Sequence, residues 1–273
     1  MINYHCNKCN IDVSHSECPV CGERTEVKSE LFWCSNCNIP TYDPVCPLCR
    51  NSCEYFTSDA RPVFPEERLL LEVILDKPLE FINDSVWNGA GNRYYVNGKK
   101  IPLKISKVKG LNPNVIRQEI DKYTNINSYD SCNAYIENWI TVNKAHFDFI
   151  TTEAKQYINT LSSKYLNDET NAVFVSFSGG KDSTVVSDLV RKALSNPSII
   201  HIFGNTTLEF PHTYDYVARF RAENRKTPML RAENKEQDFF NLCEMFGPPS
   251  RTLRWCCTIF KTGFIGEKIK STF

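Results

Sequence analysis

Val173-Phe-Val-Ser-Phe-Ser-Gly-Gly-Lys-Asp-Ser183 decides how the second half of this chain folds. Val173, Val175 and Phe177 alternate with Phe174 and Ser176, the pattern of a short buried strand. Beyond the turn, Val185, Val186, Leu189, Val190, Ala193 and Leu194 recur at helical spacing until Asn196-Pro197 stops the helix. Between the two, Gly179 and Gly180 remove side chains where the backbone must turn sharply and approach a ligand. The amides of the loop and of the helix start form an anion site. Lys181 adds a positive charge there, and Ser178 and Ser183 add hydroxyl donors. A polyphosphate is the natural occupant. The stretch is not the G-x-x-x-x-G-K-[ST] loop, because the position five before Gly180 is Val175 and Lys181 is followed by Asp182.

Outward from this stretch, strand and helix patterns alternate. Residues 199–203 read as a second strand and 227–232 as a third, with helices around 213–225 and 236–246. This βαβαβ order predicts an α/β fold, a doubly wound parallel sheet with ligands at the carboxyl ends of its strands. Upstream, residues 112–165 read as helical. Pro113 suits a first turn, and Phe147, Ile150, Ala154, Ile158, Leu161 and Tyr165 form a later stripe that residues 166–170 close. His146 lies beside that stripe and reads as packed or exposed rather than catalytic.

The first quarter follows another rule. Cys6-x2-Cys9-x8-Cys18-x2-Cys21 recurs 28 residues on, at all four positions, as Cys34-x2-Cys37-x8-Cys46-x2-Cys49. Each CxxC knuckle aims two thiolates at one metal, and four close a tetrahedral site, so the pattern predicts two structural Zn2+ sites. Rubredoxin-like iron is the other occupant of such ligands, and the two sets are self-contained or interleaved. About sixty residues with few apolar side chains need such staples to fold.

Lys plus Arg equals Asp plus Glu at 32 each, which gives no global pull toward nucleic acid or membrane. No apolar run approaches a membrane span and no signal peptide is visible, so the chain reads as cytoplasmic with no membrane partner. Charge is segregated locally. Between Ser85 and Gln118 lie Arg93, Lys99, Lys100, Lys104, Lys107, Lys109 and Arg117 without an acid, beside Trp87, Tyr94 and Tyr95. That mixture fits an RNA surface, for example for tRNA, or a solvated basic face over an aromatic core. Short β runs are expected there at 79–82, 93–96 and 101–108, with Asn97-Gly98 as a hairpin turn. At 273 residues the chain divides into metal-binding ribbons at 1–56, a small β-rich module at 57–111, a helical connector at 112–170 and a nucleotide domain at 171–273.

SGGKDS resembles the PP-loop of the ATP pyrophosphatase superfamily (adenine nucleotide alpha hydrolase-like), whose members grip the pyrophosphate of ATP. Over about residues 173–264 the chain is similar to the phosphoadenosine-phosphosulfate (PAPS) reductase branch. SGGKDS, Gly204-Asn-Thr-Thr-Leu-Glu-Phe-Pro-His-Thr213 and Arg254-Trp-Cys-Cys-Thr-Ile-Phe-Lys261 carry the match. The module at 57–111 is weakly similar to PUA-like RNA-binding modules. The resemblance implies that residues Ser178, Gly179, Gly180, Lys181, Asp182 and Ser183 hold an adenine nucleotide, and that Asn205 and Thr206 line its pocket. It further implies that Lys261 meets phosphate or sulfate oxygens, assisted by Arg254 and Arg251. Lys181, Asp182 and Lys261 would then be catalytic, with Asp182 helping to hold Mg2+. Asn205 stands where the family's D-T-G-x-x-F-P-E-T has Asp, and His212 where it has Glu.

Two chemistries follow from the resemblance. In one, ATP is cleaved to AMP and pyrophosphate, activating a substrate for displacement, for instance by a sulfur donor. In the other, a sulfonucleotide is reduced to sulfite with the help of a redox protein. The reductases need a cysteine beyond Cys257, and an iron–sulfur cluster at Cys256-Cys257 needs a further pair, and neither follows here. The resembling proteins also continue into a G-x-R-x2-E-S segment, so the sequence is expected to be a truncated product. A zinc-ribbon RNA-binding protein without catalysis is the third reading.

Overall fold

The computed structural model describes residues 3–13, 17–28, 30–103, 108, 110–166 and 172–272. The chain divides into two compact units, Met1–Asp148 and Phe149–Phe273. None of the described helices is long and apolar enough to cross a membrane.

The cysteine repeat is a repeat of structure. Strands β1 (Asn3–Cys6), β2 (Ile11–Val13) and β3 (Glu26–Lys28) form an antiparallel sheet in the order β2-β1-β3. Strands β4 (Leu31–Cys34), β5 (Ile39–Thr41) and β6 (Glu54–Thr57) repeat it as β5-β4-β6. The special backbone positions repeat as well: Asn10 and Asn38 have φ of 53° and 57°, Gly22 and Arg50 have 68° and 62°. In each ribbon the same turn closes the first knuckle, with Asn10 N donating to Cys6 O and Asn38 N to Cys34 O.

The second ribbon is built into a larger core. Leu31, Trp33 and Phe56 pack with Ala60, Trp87 and Tyr95 of a four-stranded antiparallel sheet. Its strands β7 (Ala60–Pro62), β8 (Val86–Gly89), β9 (Arg93–Val96) and β10 (Lys99–Lys100) are ordered β10-β9-β8-β7. The Asn97-Gly98 turn is present, at φ 48° and 78°, and the second ribbon sits on it. A Cβ on Gly98 would lie 2.4 Å from Trp33 Nε1, and Asn38 Nδ2 donates to Asn97 Oδ1 at 2.7 Å.

The strand expected at 79–82 is instead a run of turns, with Leu79 at φ 64°. The cause is Glu72 on α1 (Pro65–Ile74), whose carboxylate is fully buried. It accepts from Leu79 N at 3.0 Å and Phe81 N at 2.7 Å, taking amides a strand ladder would need. Burial pushes the Glu72 carboxyl up, against those amides and the Arg68 guanidinium. Arg68, also buried, lies 3.6 Å from Glu72 and donates to Ile82 O and Asn127 Oδ1. The sheet takes Val86–Gly89 as its strand in place of 79–82. Of the run expected at 101–108, residues 101–103 are irregular and 104–107 lie outside the described residues.

Helices α2 (Pro113–Tyr123), α3 (Asp130–Val142) and α4 (Lys144–Tyr165) follow. The Asn112 side chain caps α2 by accepting from Asn114 N. Asn143, between α3 and α4, is buried and accepts from Tyr42 N while donating to Pro40 O and Trp139 O. His146 stacks on Tyr42 at 3.6 Å, a packed histidine whose pKa burial lowers. The stripe along α4 has the expected period, yet no α4 residue is buried. The closure expected at 167–170 lies outside the described residues.

In the second unit, β11 (Phe174–Phe177), β12 (Ile200–Asn205) and β13 (Met229–Glu233) form a parallel sheet in the order β11-β12-β13. Helices α5 (Lys181–Ala193) and α6 (Pro211–Glu223) cross between them, as the alternation predicts. α7 (Phe239–Phe246), a π-helix (Cys257–Gly263) and α8 (Phe264–Thr272) complete the unit. Phe177 is paired with Phe203 in register, so the two share a face of the sheet, and they pack on Val217 and Phe220 of α6. Gly204 lies on the opposite face, where its missing side chain makes room for Ile265 of α8. Helices therefore cover both faces. His201, fully buried, pins α5 to β12: Ser187 Oγ lies 2.7 Å from Nε2 and Ile199 O 2.8 Å from Nδ1. A carbonyl only accepts, so Nδ1 carries the proton and Nε2 accepts from the hydroxyl. Burial lowers the pKa and favours that neutral form.

Replacing Glu72 by Ala leaves two buried amides without their acceptor and a buried guanidinium without its counter-charge. Unit one should lose about 3–5 kcal/mol. Denaturant unfolding followed by tryptophan fluorescence reads it, since three of the four tryptophans, Trp33, Trp87 and Trp139, lie in this unit. A loss below about 1 kcal/mol would remove Glu72 as the organiser of residues 79–82.

Candidate functional site

The loop begins where β11 ends. Gly180 is the N-cap of α5 in extended conformation, with no side chain capping the helix. The first amides of a helix have no intrahelical acceptor, so this end is open to an anion. Ser183 ties the loop together: its Oγ donates to Gly180 O at 2.9 Å and accepts from Ser178 Oγ at 3.2 Å and Ser178 N at 3.3 Å. Thr184 Oγ1 bonds Gly180 O and lies 2.9 Å from the Tyr216 hydroxyl, which links the loop to α6. Gly179 has φ 73°, and a Cβ there would lie 3.0 Å from Val217 Cγ2 and 3.1 Å from Thr213 Cγ2. Left-handed backbone and close approach both require glycine at this position. Lys181 Nζ lies 2.7 Å from Asp182 Oδ1, with both side chains almost fully exposed. Such a pair is worth little in water and opens readily toward a ligand.

The second segment meets the first, because Thr213, under Gly179, is its last residue. Its other residues form a network at the carboxyl end of β12. Asn205 is buried; its Oδ1 accepts from the Tyr214 hydroxyl at 2.7 Å and its Nδ2 donates to Glu233 Oε2 at 2.9 Å. Glu233, its register partner on β13, also pairs with Arg231 at 2.6 Å. Thr206 donates through Oγ1 to Glu209 at 2.7 Å. Thr207 has φ 62°, a sparsely populated region for a β-branched residue, and its hydroxyl accepts from Phe239 N at 2.8 Å. Burial raises the Tyr214 pKa, with Glu209 adding to it.

The third segment is placed differently. Lys261 and Arg254 are exposed, as is Arg251, while Phe260 between them is fully buried against Phe239 and Trp255. Among the described residues, neither the Lys261 nor the Arg254 side chain bonds to the loop. Cys256 and Cys257 are half-buried. Glu209 was legible as a Thr-x-x-Glu pair beside Thr206, a spacing that closes a turn on itself. Arg231 and Glu233 carry no such signal, because only strand register brings them to Asn205.

In the basic stretch the structure fits the second reading, a basic face over an aromatic core. Trp87 and Tyr95 are buried in the core, and Tyr94 is half-buried with its hydroxyl on Glu67 at 2.6 Å. The pleat places Trp87 and Tyr95 on the face that the second ribbon covers, so neither offers a ring for stacking on bases, while Tyr94 packs on the opposite face. Arg93, Lys99, Lys100 and Arg117 are exposed; Lys104, Lys107 and Lys109 lie outside the described residues.

The eight repeated cysteines form two self-contained clusters, Cys6, Cys9, Cys18 and Cys21, then Cys34, Cys37, Cys46 and Cys49, each with all four Sγ atoms within 4.8 Å. Sulfur separations of 3.6 Å for Cys6–Cys21, 3.4 Å for Cys34–Cys49 and 3.8 Å for Cys37–Cys46 match the edge of about 3.8 Å that Zn–S bonds of 2.3 Å give a tetrahedron. Both clusters therefore fit zinc. The Asn51 amide lowers the Cys49 thiol to about 6, whereas thiol contacts, Cys21 foremost, push Cys9 up to about 12. Clustered thiols resist joint ionisation until a cation joins them.

Residues 172–272 match the phosphoadenosine phosphosulfate reductase domain family. This part of the chain belongs to that family, within the PP-loop superfamily. Two uncharacterized proteins of Methanocaldococcus jannaschii are similar to the chain. One is 26% identical over 193 residues, covering 64% of this chain and 46% of that protein. The other is 33% identical over 134 residues, covering 49% and 26% respectively. The chain thus spans less than half the length of each.

Protein purified without added zinc should carry about two metal equivalents, one per four thiolates. Cys6→Ser with Cys9→Ser should leave one, and loss of both metals in that variant would mean the sites are not independent. Gly179→Ala forces a side chain into left-handed backbone against α6, and should cost about 1–3 kcal/mol. An unchanged thermal midpoint would show that α6 does not confine the loop.

Proposed function

We propose that the chain binds ATP on the SGGKDS loop and cleaves it between the α and β phosphates, transferring AMP to an acceptor. The observation that carries this is the loop itself: an uncapped helix start, a left-handed Gly179 beneath α6, and Lys181 free to turn from Asp182. An acceptor oxygen attacks the α-phosphorus, the bond to the bridging oxygen breaks, and its electron pair leaves on pyrophosphate. The loop amides and Lys181 stabilise that charge. Lys261 and Arg254, being exposed and uncommitted, would close on the phosphates. Asp182 is a carboxylate suited to Mg2+, which when bound would neutralise part of the pyrophosphate charge. The acceptor oxygen of the adenylate is then open to displacement by a sulfur donor. The exposed Arg93, Lys99, Lys100 and Arg117 fit an RNA acceptor held through its phosphates. Zinc thiolates stay reduced and loaded in a cytoplasmic setting.

Lys181→Ala should slow ATP–pyrophosphate exchange roughly a hundredfold or more, because the charge it meets develops in the transition state. Cys256→Ser should leave the exchange intact. Preference for PAPS over ATP, with sulfite formed in the presence of thioredoxin, would replace this reading with a reductase.

A further inference from the structure

Between α6 and β13, an outer strand of its sheet, the second unit leaves a cavity of about 220 Å³. Protein interiors hold few voids larger than a water molecule, so this volume is more than a packing defect. Register builds its floor. Phe203 and Arg231 are partners across β12 and β13, and Met229 lies two residues before Arg231, so all three share the face that α6 covers. The helix supplies the wall through Tyr214, Val217, Ala218 and Arg221, which recur at three, four and seven along one of its faces. Ala218, with a single methyl group, leaves the space between helix and edge strand unfilled.

The lining combines two chemistries. Phe203 and Val217 are buried, and Tyr214 and Met229 pack half-buried against the same core, which gives an apolar interior. Arg221 and Arg231 are exposed at its rim. The Arg231 guanidinium lies 5.9 Å from the centre of the Tyr214 ring and pairs through Nε with Glu233 at 2.6 Å. Among the described residues, Arg221 has no hydrogen-bond or ion-pair partner. Glu233 offsets one of the two positive charges, so the rim suits a singly charged head better than a dianionic phosphate.

We infer that this cavity binds a small organic acid, with its carboxylate on Arg221 and Arg231 and an apolar body of about phenyl size against Phe203 and Met229. A guanidinium fork matches the two oxygens of a carboxylate. The volume falls below the roughly 300–1,000 Å³ of pockets for larger ligands, which limits the body to one ring or a short branched chain. The site is separate from the SGGKDS loop and does not depend on what that loop holds. Val217 lines the cavity and also packs against Gly179, so the two places share one side chain.

Saturation-transfer NMR on the metal-loaded chain tests this with benzoate as the probe, benzamide as its uncharged control and acetate as its control without a body. Benzoate should saturate with a Kd on the order of 1 mM, as fits so small a ligand. Benzamide and acetate should each bind at least about tenfold more weakly. Arg221→Ala, at an exposed residue without a partner, should weaken benzoate by roughly tenfold. Ala218→Leu fills the space from an exposed helical position and should abolish benzoate binding with the thermal midpoint unchanged. Should that variant unfold, Arg221→Ala decides alone, and unchanged benzoate affinity there overturns the assignment. Equal binding of benzamide, binding that survives in a folded Ala218→Leu, or no saturation at all overturns it too. ATP should leave benzoate affinity unchanged; displacement by ATP would put the probe in the nucleotide site and overturn a separate one. A chain that binds benzoate as described but not ATP would sink the adenylation reading and support this one.

Discussion

What the second unit offers a ligand depends on one contact, the approach of α6 to the backbone of Gly179. The loop has to leave β11, turn through a left-handed residue and enter α5 within a few residues. It can do so only because no Cβ stands between Gly179 and the methyl groups of Thr213 and Val217. That closeness brings the SGGKDS loop and the segment after β12 to one place, although they are separated by a whole helix and strand. His201, holding α5 to β12 through Ser187, keeps the helix start in line with the strand it follows. The open helix start is therefore a product of packing, and the charges of Lys181 and Asp182 are added to it from the solvent side.

Wherever chemistry depended on neighbours in sequence, it could be read directly. The two-residue knuckles of the cysteine ribbons, the glycines of the loop and the Asn97-Gly98 turn each specify their own geometry within a few residues. The alternating strands and helices of the second unit were legible for the same reason. Features set by distant partners were not. Leu79 to Ile82 looked like a strand because their own side chains suit one; a carboxylate on a preceding helix took the amides instead. Trp87, Tyr94 and Tyr95, lying among lysines, fitted base-stacking rings and core rings alike. A pleated sheet sends alternate residues to opposite faces, and the second ribbon covers the face that holds two of these rings. The Asn205–Glu233 pair was invisible for lack of register: they lie 28 residues apart in sequence and become neighbours only when β12 and β13 align.

Asn205 gains a physical account from this network. The family pattern places a carboxylate at this position, and here the carboxylate stands one strand over, on Glu233. An amide between a tyrosine hydroxyl and a glutamate can donate to one and accept from the other, whereas a carboxylate buried at position 205 would meet the like charge of Glu233. The substitution and the acidic residue on the next strand belong together.

The duplicated ribbon shows how identical scaffolds come to live under different rules. Both copies share strands, turn angles and ligand spacing. Two of the three described cores of unit one nevertheless draw on the second copy: Cys34, Ile39, Cys46 and Cys53 pack with Val142, and Trp33 packs with Trp87 and Tyr95. A sequence change in that copy has to satisfy its four-cysteine cluster, its own sheet and a foreign core at once. Among the described residues, no core cluster draws on the first copy, which is held by its own four cysteines and three strands. Descendants of such a tandem should diverge unevenly, the embedded copy holding its side chains while the outer one drifts toward new surfaces under the same four cysteines.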